Sequence, residues 1–211
     1  MKIYDISQEV FNCNIYDGDP KPTKEKLSSM DDGAICNVTA FYMCCHNGTH
    51  IDAPNHFINN GKSIDQIDLQ AVVGNAYVTR IDGIINQDDA LTIINKAKTF
   101  NDSYQRILIK GKAYLSLEAS QVLIDNNVLL IGTESQSIST YKTTSLIHNS
   151  LLSNEIIILE GLNLNEVNEG SYLLNAAPLN LKDSDGSPCR AILIKDIEEY
   201  WRWIRDLKIY V

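Results

Sequence analysis

The sequence predicts an α/β fold in a single domain spanning residues 1–211, and three observations carry that expectation. Short runs rich in β-branched and aliphatic residues alternate with amphipathic helical patterns, the order that lays helices against a sheet with parallel strands. The run Ile156-Ile157-Ile158-Leu159 is apolar at every position, as a central strand covered on both faces would be. A chain of 211 residues with 44% hydrophobic content can build one substantial core and is short for two.

Taken in order, strand-like runs fall at 35–43, 76–81, 106–109, 128–131, 155–159, 172–174 and 191–194. Helical patterns at 88–98, 116–125 and 144–152 lie between several of them. The second opens Ser116-Leu117-Glu118-Ala119, a capping serine followed by an early acidic residue. Some of the remaining strands are expected to form antiparallel hairpins. No internal repeat, low-complexity tract or linker interrupts the chain.

The formal net charge of −9 argues against nucleic acid or an anionic membrane as partner. No apolar run approaches the ~20 residues of a membrane span, and the start Met1-Lys2-Ile3-Tyr4-Asp5 lacks a signal-peptide core. Cys13, Cys36, Cys44, Cys45 and Cys189 are odd in number and form no C-x-x-C pair. They fit reduced thiols, and the expected location is the cytoplasm.

The chemistry concentrates in His46-Asn47-Gly48-Thr49-His50-Ile51-Asp52-Ala53-Pro54-Asn55-His56, which holds three of the four histidines of the chain. Imidazole nitrogen and carboxylate oxygen suit Zn²⁺ or Mn²⁺ at a site that keeps a position open for water. Gly48 and Pro54 exclude one continuous helix, so the chain must curl to bring the ligands together. Taken singly, each histidine could be a hydrogen-bonded core or surface residue, and Asp52 a helix cap. Taken jointly, three histidines around an aspartate in one bent segment point to a metal site. Cys44 or Cys45 could approach such a metal, although the nitrogen and oxygen donors already suffice.

Two further residues stand apart from this segment. His148 lies on the helical pattern 144–152, and Glu160 closes the most apolar strand just before Gly161. Carboxylates at strand ends of open α/β sheets are well placed for binding sites, though both residues also fit solvated positions. Glu134 is a similar, weaker candidate.

The eleven-residue segment matches the H-x-G-T-H-x-D-x-P-x-H signature, and the chain on that basis resembles the "cyclase" family of metal-dependent hydrolases, which includes kynurenine formamidase and isatin hydrolase. The resemblance runs nearly end to end. It takes in Ile3-Tyr4-Asp5-Ile6-Ser7 and Tyr16-Asp17-Gly18-Asp19-Pro20, with Asp17 where the family has proline. It continues through Leu159-Glu160-Gly161-Leu162, Ala177-Pro178-Leu179 and Asp185-Gly186-Ser187-Pro188-Cys189-Arg190-Ala191.

The resemblance implies that His46, His50 and Asp52 ligate one metal, with Asp52 bridging to a second held by His148 and Glu160. It implies His56 as the catalytic acid/base, a swivelling β/β/α fold, and a homo-oligomer (dimer or tetramer) whose subunits help shape one another's sites. The expected activity is hydrolysis of a small amide, most readily an aryl formamide such as N-formylkynurenine, with two divalent ions per chain, Zn²⁺ first and Mn²⁺ as the alternative. No serine or cysteine nucleophile is needed, and the G-x-S-x-G elbow is absent. Tyr16, Phe41, Tyr42 and Phe57 are candidates for an aromatic substrate wall. A cyclic amide or lactone substrate, and a non-catalytic metal-binding protein, are the alternatives.

Overall fold

The computed structural model describes residues 1–100 and 103–195. In chain order its elements are β1 (Lys2–Asp5), β2 (Thr23–Ser28), β3 (Val38–Tyr42), β4 (His50–Asp52), α1 (Leu69–Val72), β5 (Val73–Arg80), β6 (Gly83–Ile85), α2 (Gln87–Ala97), β7 (Arg106–Lys110) and β8 (Ala113–Leu115). There follow α3 (Leu117–Asp125), β9 (Leu130–Thr133), α4 (Thr144–Leu152), β10 (Ile157–Glu160), β11 (Gly170–Asn175), β12 (Gly186–Pro188) and β13 (Ile192–Lys195). Among the described residues nine strands form one mixed sheet in the order β1-β13-β11-β5-β7-β9-β10-β4-β12.

The centre of that sheet is parallel: β5 pairs with β7, β7 with β9 and β9 with β10. Each step carries a crossover helix, α2, α3 and α4 in turn. The sequence explains each helix. Asn86 and Asp89 form a capping box at the start of α2, which buries Ala90, Ile93, Ile94 and Ala97 along one stripe. The Ser116 side chain accepts the Ala119 amide and caps α3. Helix α4 buries Ile147, His148, Leu151 and Leu152, so a histidine occupies an inward position of an otherwise apolar stripe.

Side-chain alternation divides the interior into two cores. Tyr77, Ile107, Ile109, Ile131 and Ile158 face the helices. Val78, Leu108, Leu130, Ile157 and Leu159 face the other way and pack with Ile51, Leu174 and Leu193 from the flanking strands. The second core joins strands from both ends of the sheet, which curls to enclose it. This α/β architecture agrees with the sequence expectation.

Differences lie at the periphery. The strand expected at 35–43 begins only at Val38, because Gly33 turns the chain through a left-handed conformation and Ile35 lies in the open connection. Strands β2 and β3 form an antiparallel hairpin outside the main sheet. Leu27, Val38, Phe41 and Tyr42 are exposed on it.

Candidate metal centre

Strand β4 is only three residues long, yet it is flanked on both sides. It pairs with β10 so that His50 faces Glu160 and Asp52 faces Ile158, and with β12 so that Asp52 faces Gly186. Alternation sends Ile51 into the β–β core, where it is fully buried. Burial of such a side chain contributes about 1.5–3 kcal/mol. The same alternation turns His50, Asp52 and Glu160 to the helix side, where His148 of α4 meets them. The apolar residue between the two candidate ligands is thus what fixes their direction.

The turn leading into β4 is tied to the end of β10. Gly48 and Gly161 both have positive φ, 65° and 67°. A Cβ on Gly161 would collide with the Gly48 carbonyl oxygen. The Thr49 hydroxyl donates to the Gly161 carbonyl at 2.6 Å and accepts the Gln8 amide at 2.9 Å. Upstream, Asn47 Oδ1 accepts the Cys44 amide at 2.9 Å, which closes the turn that presents His46. Pro54 starts a short 3-10 helix, Pro54–His56, that carries His56.

All six residues expected at the site converge. His46 Nδ1 lies 2.9 Å from Asp52 Oδ1, and His50 Nε2 lies 3.4 Å from the same oxygen and 3.6 Å from Glu160 Oε2. His148 Nε2 lies 3.6 Å from Asp52 Oδ2 and 3.4 Å from Glu160 Oε1. The His56 ring stacks on His46 with centroids 4.0 Å apart. Two donor groups emerge, His46–Asp52–His56 and His50–Asp52–Glu160, and they share Asp52.

Hydrogen bonds at the back of the rings set their orientation. His50 Nδ1 donates to the Gly48 carbonyl at 2.9 Å, and His148 Nδ1 donates to the Thr144 carbonyl at 2.8 Å. Both rings therefore present Nε2 to the carboxylates, the arrangement by which outer partners orient metal-ligating histidines. Glu160 Oε1 is held by the Ile138 amide at 2.8 Å.

The charges are finely opposed. Burial alone would push the His46 imidazole down, but Asp185 and Asp52 lift it to about 11. Burial likewise opposes the charged forms of His50 and His148, and the neighbouring carboxylates raise both above the ordinary histidine value. Asp52 is wholly enclosed, which raises its carboxyl, yet hydrogen bonds from His46 and His50 hold it well below the usual range. Its Oδ2 is nevertheless buried with no hydrogen-bond partner. A buried, unpaired carboxylate oxygen is costly, and a divalent cation held by Asp52 together with His50, His148 and Glu160 would satisfy it. The donor set fits such an ion.

A cavity of about 250 Å³ opens over the centre, lined by the four histidines, Glu160, Tyr16, Asp19, Phe57 and Gln136 among others. Tyr16 and Phe57 therefore stand where an aromatic wall was expected, with Phe57 stacked on His148 at 4.6 Å. Phe41 and Tyr42 do not; they sit on the exposed hairpin. Glu134 is also excluded, because its two oxygens accept the Gly111 and Leu164 amides at 2.7 Å each and brace loops. One residue escaped the sequence reading as a candidate. Asp185 Oδ2 lies 3.0 Å from His46 Nε2 and 3.4 Å from His56 Nδ1. Its only signal in the sequence was the Asp-Gly pair in the C-terminal block of the resemblance.

Comparison with known proteins matches residues 4–140 to the family described as "Putative cyclase". The kynurenine formamidase of Bacillus anthracis is 35% identical over 209 residues, covering 91% of this chain and 97% of that protein. A solved "predicted metal-dependent hydrolase" from Bacillus stearothermophilus superposes with a TM-score of 0.75 at 26% identity, covering 91% of this chain and 97% of the other. Isatin hydrolase A from Labrenzia aggregata shares the fold, with a TM-score of 0.78 at 22% identity over 92% of this chain and 94% of its own.

Proposed function

This chain belongs to the cyclase family and is an arylformamidase-like hydrolase, and from that premise we propose that it cleaves the amide C–N bond of an aryl formamide, taking N-formylkynurenine to kynurenine and formate. The observation that carries the reading is the pair of donor groups sharing buried Asp52 beneath a cavity with two aromatic walls. In this reading the site residues are His46, His50, Asp52, His148 and Glu160 as ligands of two divalent ions, zinc before manganese, with His56 as acid/base.

A divalent cation bound there supplies Lewis acidity toward the substrate carbonyl and lowers the pKa of water toward ~7. The protein's own part is positional. His50 and His148 are locked with Nε2 forward, and Asp52 and Glu160 would supply the negative charge to balance bound cations. His56, part-exposed at the cavity, takes a proton from the attacking water and returns it to the leaving aryl amine, which departs neutral. Tyr16 and Phe57 offer flat surfaces to an aromatic ring.

The chain 1–211 is read as one domain, acting as a homo-oligomer in the cytoplasm. The apolar side chains exposed on the β2–β3 hairpin support association of copies, and five free thiols suit a reducing compartment. Among the described residues no helix is long and apolar enough to cross a membrane.

The test is turnover of N-formylkynurenine, isatin and simple lactones by protein stripped with a chelator and then reloaded with Zn²⁺ or Mn²⁺. The reading predicts formamide hydrolysis that vanishes on stripping and returns on reloading. Preference for isatin or a lactone would reassign the substrate, full activity without metal would remove the mechanism, and metal binding without any turnover would leave a binding protein.

A further inference from the structure

We infer that Asp185 is a positioning residue whose single oxygen Oδ2 holds two rings at once, keeping His46 directed at Asp52 and His56 in the tautomer that acid–base chemistry requires. The inference rests on the hydrolase reading for the role it gives His56.

Three observations carry it. The first is the bridge itself: Oδ2 is 3.0 Å from His46 Nε2 and 3.4 Å from His56 Nδ1, and the two rings lie stacked at 27°. The His46 contact is a hydrogen bond, and the stacked His56 ring turns its Nδ1 to within ion-pair distance of the same oxygen, so one carboxylate oxygen faces both rings. His46 already meets Asp52 through Nδ1, so the proton on Nε2 belongs to Asp185, and Nδ1 is the atom left for a cation. His56 turns Nδ1 toward the same Asp185 oxygen, which favours the tautomer with its proton on Nδ1 and Nε2 free to act in the cavity it lines.

The second is the backbone around it. The Asp185 carbonyl accepts the Ala53 amide at 2.9 Å, which ties the residue to the segment between Asp52 and the His56-bearing 3-10 helix. Next in sequence, a Cβ on Gly186 would stand 2.7 Å from His46 Cε1 and 2.8 Å from the Ile51 carbonyl oxygen. Only glycine lets the β12 backbone approach closely enough to seat the His46 ring.

The third is exclusivity. Among the described residues, every ion pair of Asp185 is with a histidine of the site. Hydrogen bonds from His46 and then His56 also hold its carboxyl far below the usual range. Since its side chain is 48% exposed, replacing it disturbs little core packing.

The experiment compares wild type, Asp185→Asn, His56→Ala and the double variant. Ring ¹⁵N spectra of the zinc-loaded protein are tractable, since the chain has four histidines. Wild type should show His56 protonated on Nδ1, and Asp185→Asn should show a mixture of tautomers. Zn²⁺ affinity, read by chelator competition, should fall about 10–100-fold in Asp185→Asn, as loss of an outer partner of a ligand does. At saturating Zn²⁺, kcat should fall at least about 10-fold with KM nearly unchanged, and the loss should vanish in the His56→Ala background. A wild-type His56 protonated on Nε2, an unchanged tautomer and affinity in Asp185→Asn, or an equal kcat loss with and without His56 would overturn the inference. The spectra and Zn²⁺ competition need no substrate, so they decide the inference even if the formamidase reading fails.

Discussion

At the scale of single residues, the centre is a set of imidazoles whose protons occupy the places of cations. His46 is lifted from an ordinary 6.5 to about 11 in the metal-free protein, and His50 and His148 are also raised. A raised histidine contributes stability that is fully present below its unfolded value and is lost as pH rises through the folded one. His46 therefore stabilises the metal-free fold below about pH 6.5 and ceases to do so toward pH 11. The carboxylates of Asp52 and Asp185, both held low, contribute above the usual carboxylate value and lose that contribution on acidification. Because a cation needs the nitrogen lone pairs, binding must expel these protons. Calorimetric titration with Zn²⁺ near pH 7 in buffers of different ionisation enthalpy is predicted to show release of at least about one proton per chain, with apparent affinity rising with pH. Binding without proton release would contradict the charge state derived for these rings.

At the scale of elements, the strand that carries the candidate ligands is held by its neighbours rather than by its own sequence. β4 and β12 are three residues each, one polar and one containing glycine and proline, so no local pattern announces either as a strand. The long apolar and periodic elements were legible: β10 from its unbroken aliphatic run, α2 from its helical pattern, and α3 from its pattern and its Ser116 cap. Helix α4 was legible in position and bounds, but that His148 points inward follows only from the packing of α4 on the sheet. The end of β10 meets the turn before β4 through Gly161. Gly161→Ala would place a side chain at positive φ, costing about 1–2 kcal/mol, and would drive its Cβ into the Gly48 carbonyl. The expected result is a Tm lower by at least about 2–4 °C and weaker Zn²⁺ binding, measured by thermal melts with and without metal. An unchanged melt and affinity would mean that this junction does not position His50.

At the scale of the molecule, the site gathers residues more than a hundred positions apart because the sheet brings β4 between β10 and β12. The eleven-residue signature made His46, His50, Asp52 and His56 legible, and the family resemblance supplied His148 and Glu160. Asp185 was not legible as a site residue, because nothing in its spacing relates it to His46; only the pairing of β12 with β4 does. Phe41 and Tyr42 were misassigned for the converse reason, since aromatic residues close in sequence to the signature project on a separate hairpin. In the proposed arrangement one buried carboxylate, Asp52, would serve two cation positions at once. Metal analysis of protein saturated with Zn²⁺ and freed of excess tests it most directly, with Glu160→Gln as the comparison that removes charge from one position and keeps its shape. About two ions per chain are expected in wild type, with a fall toward one in Glu160→Gln; a wild type that holds only one ion at saturation, or a variant that still holds two, would show that Asp52 does not serve two positions.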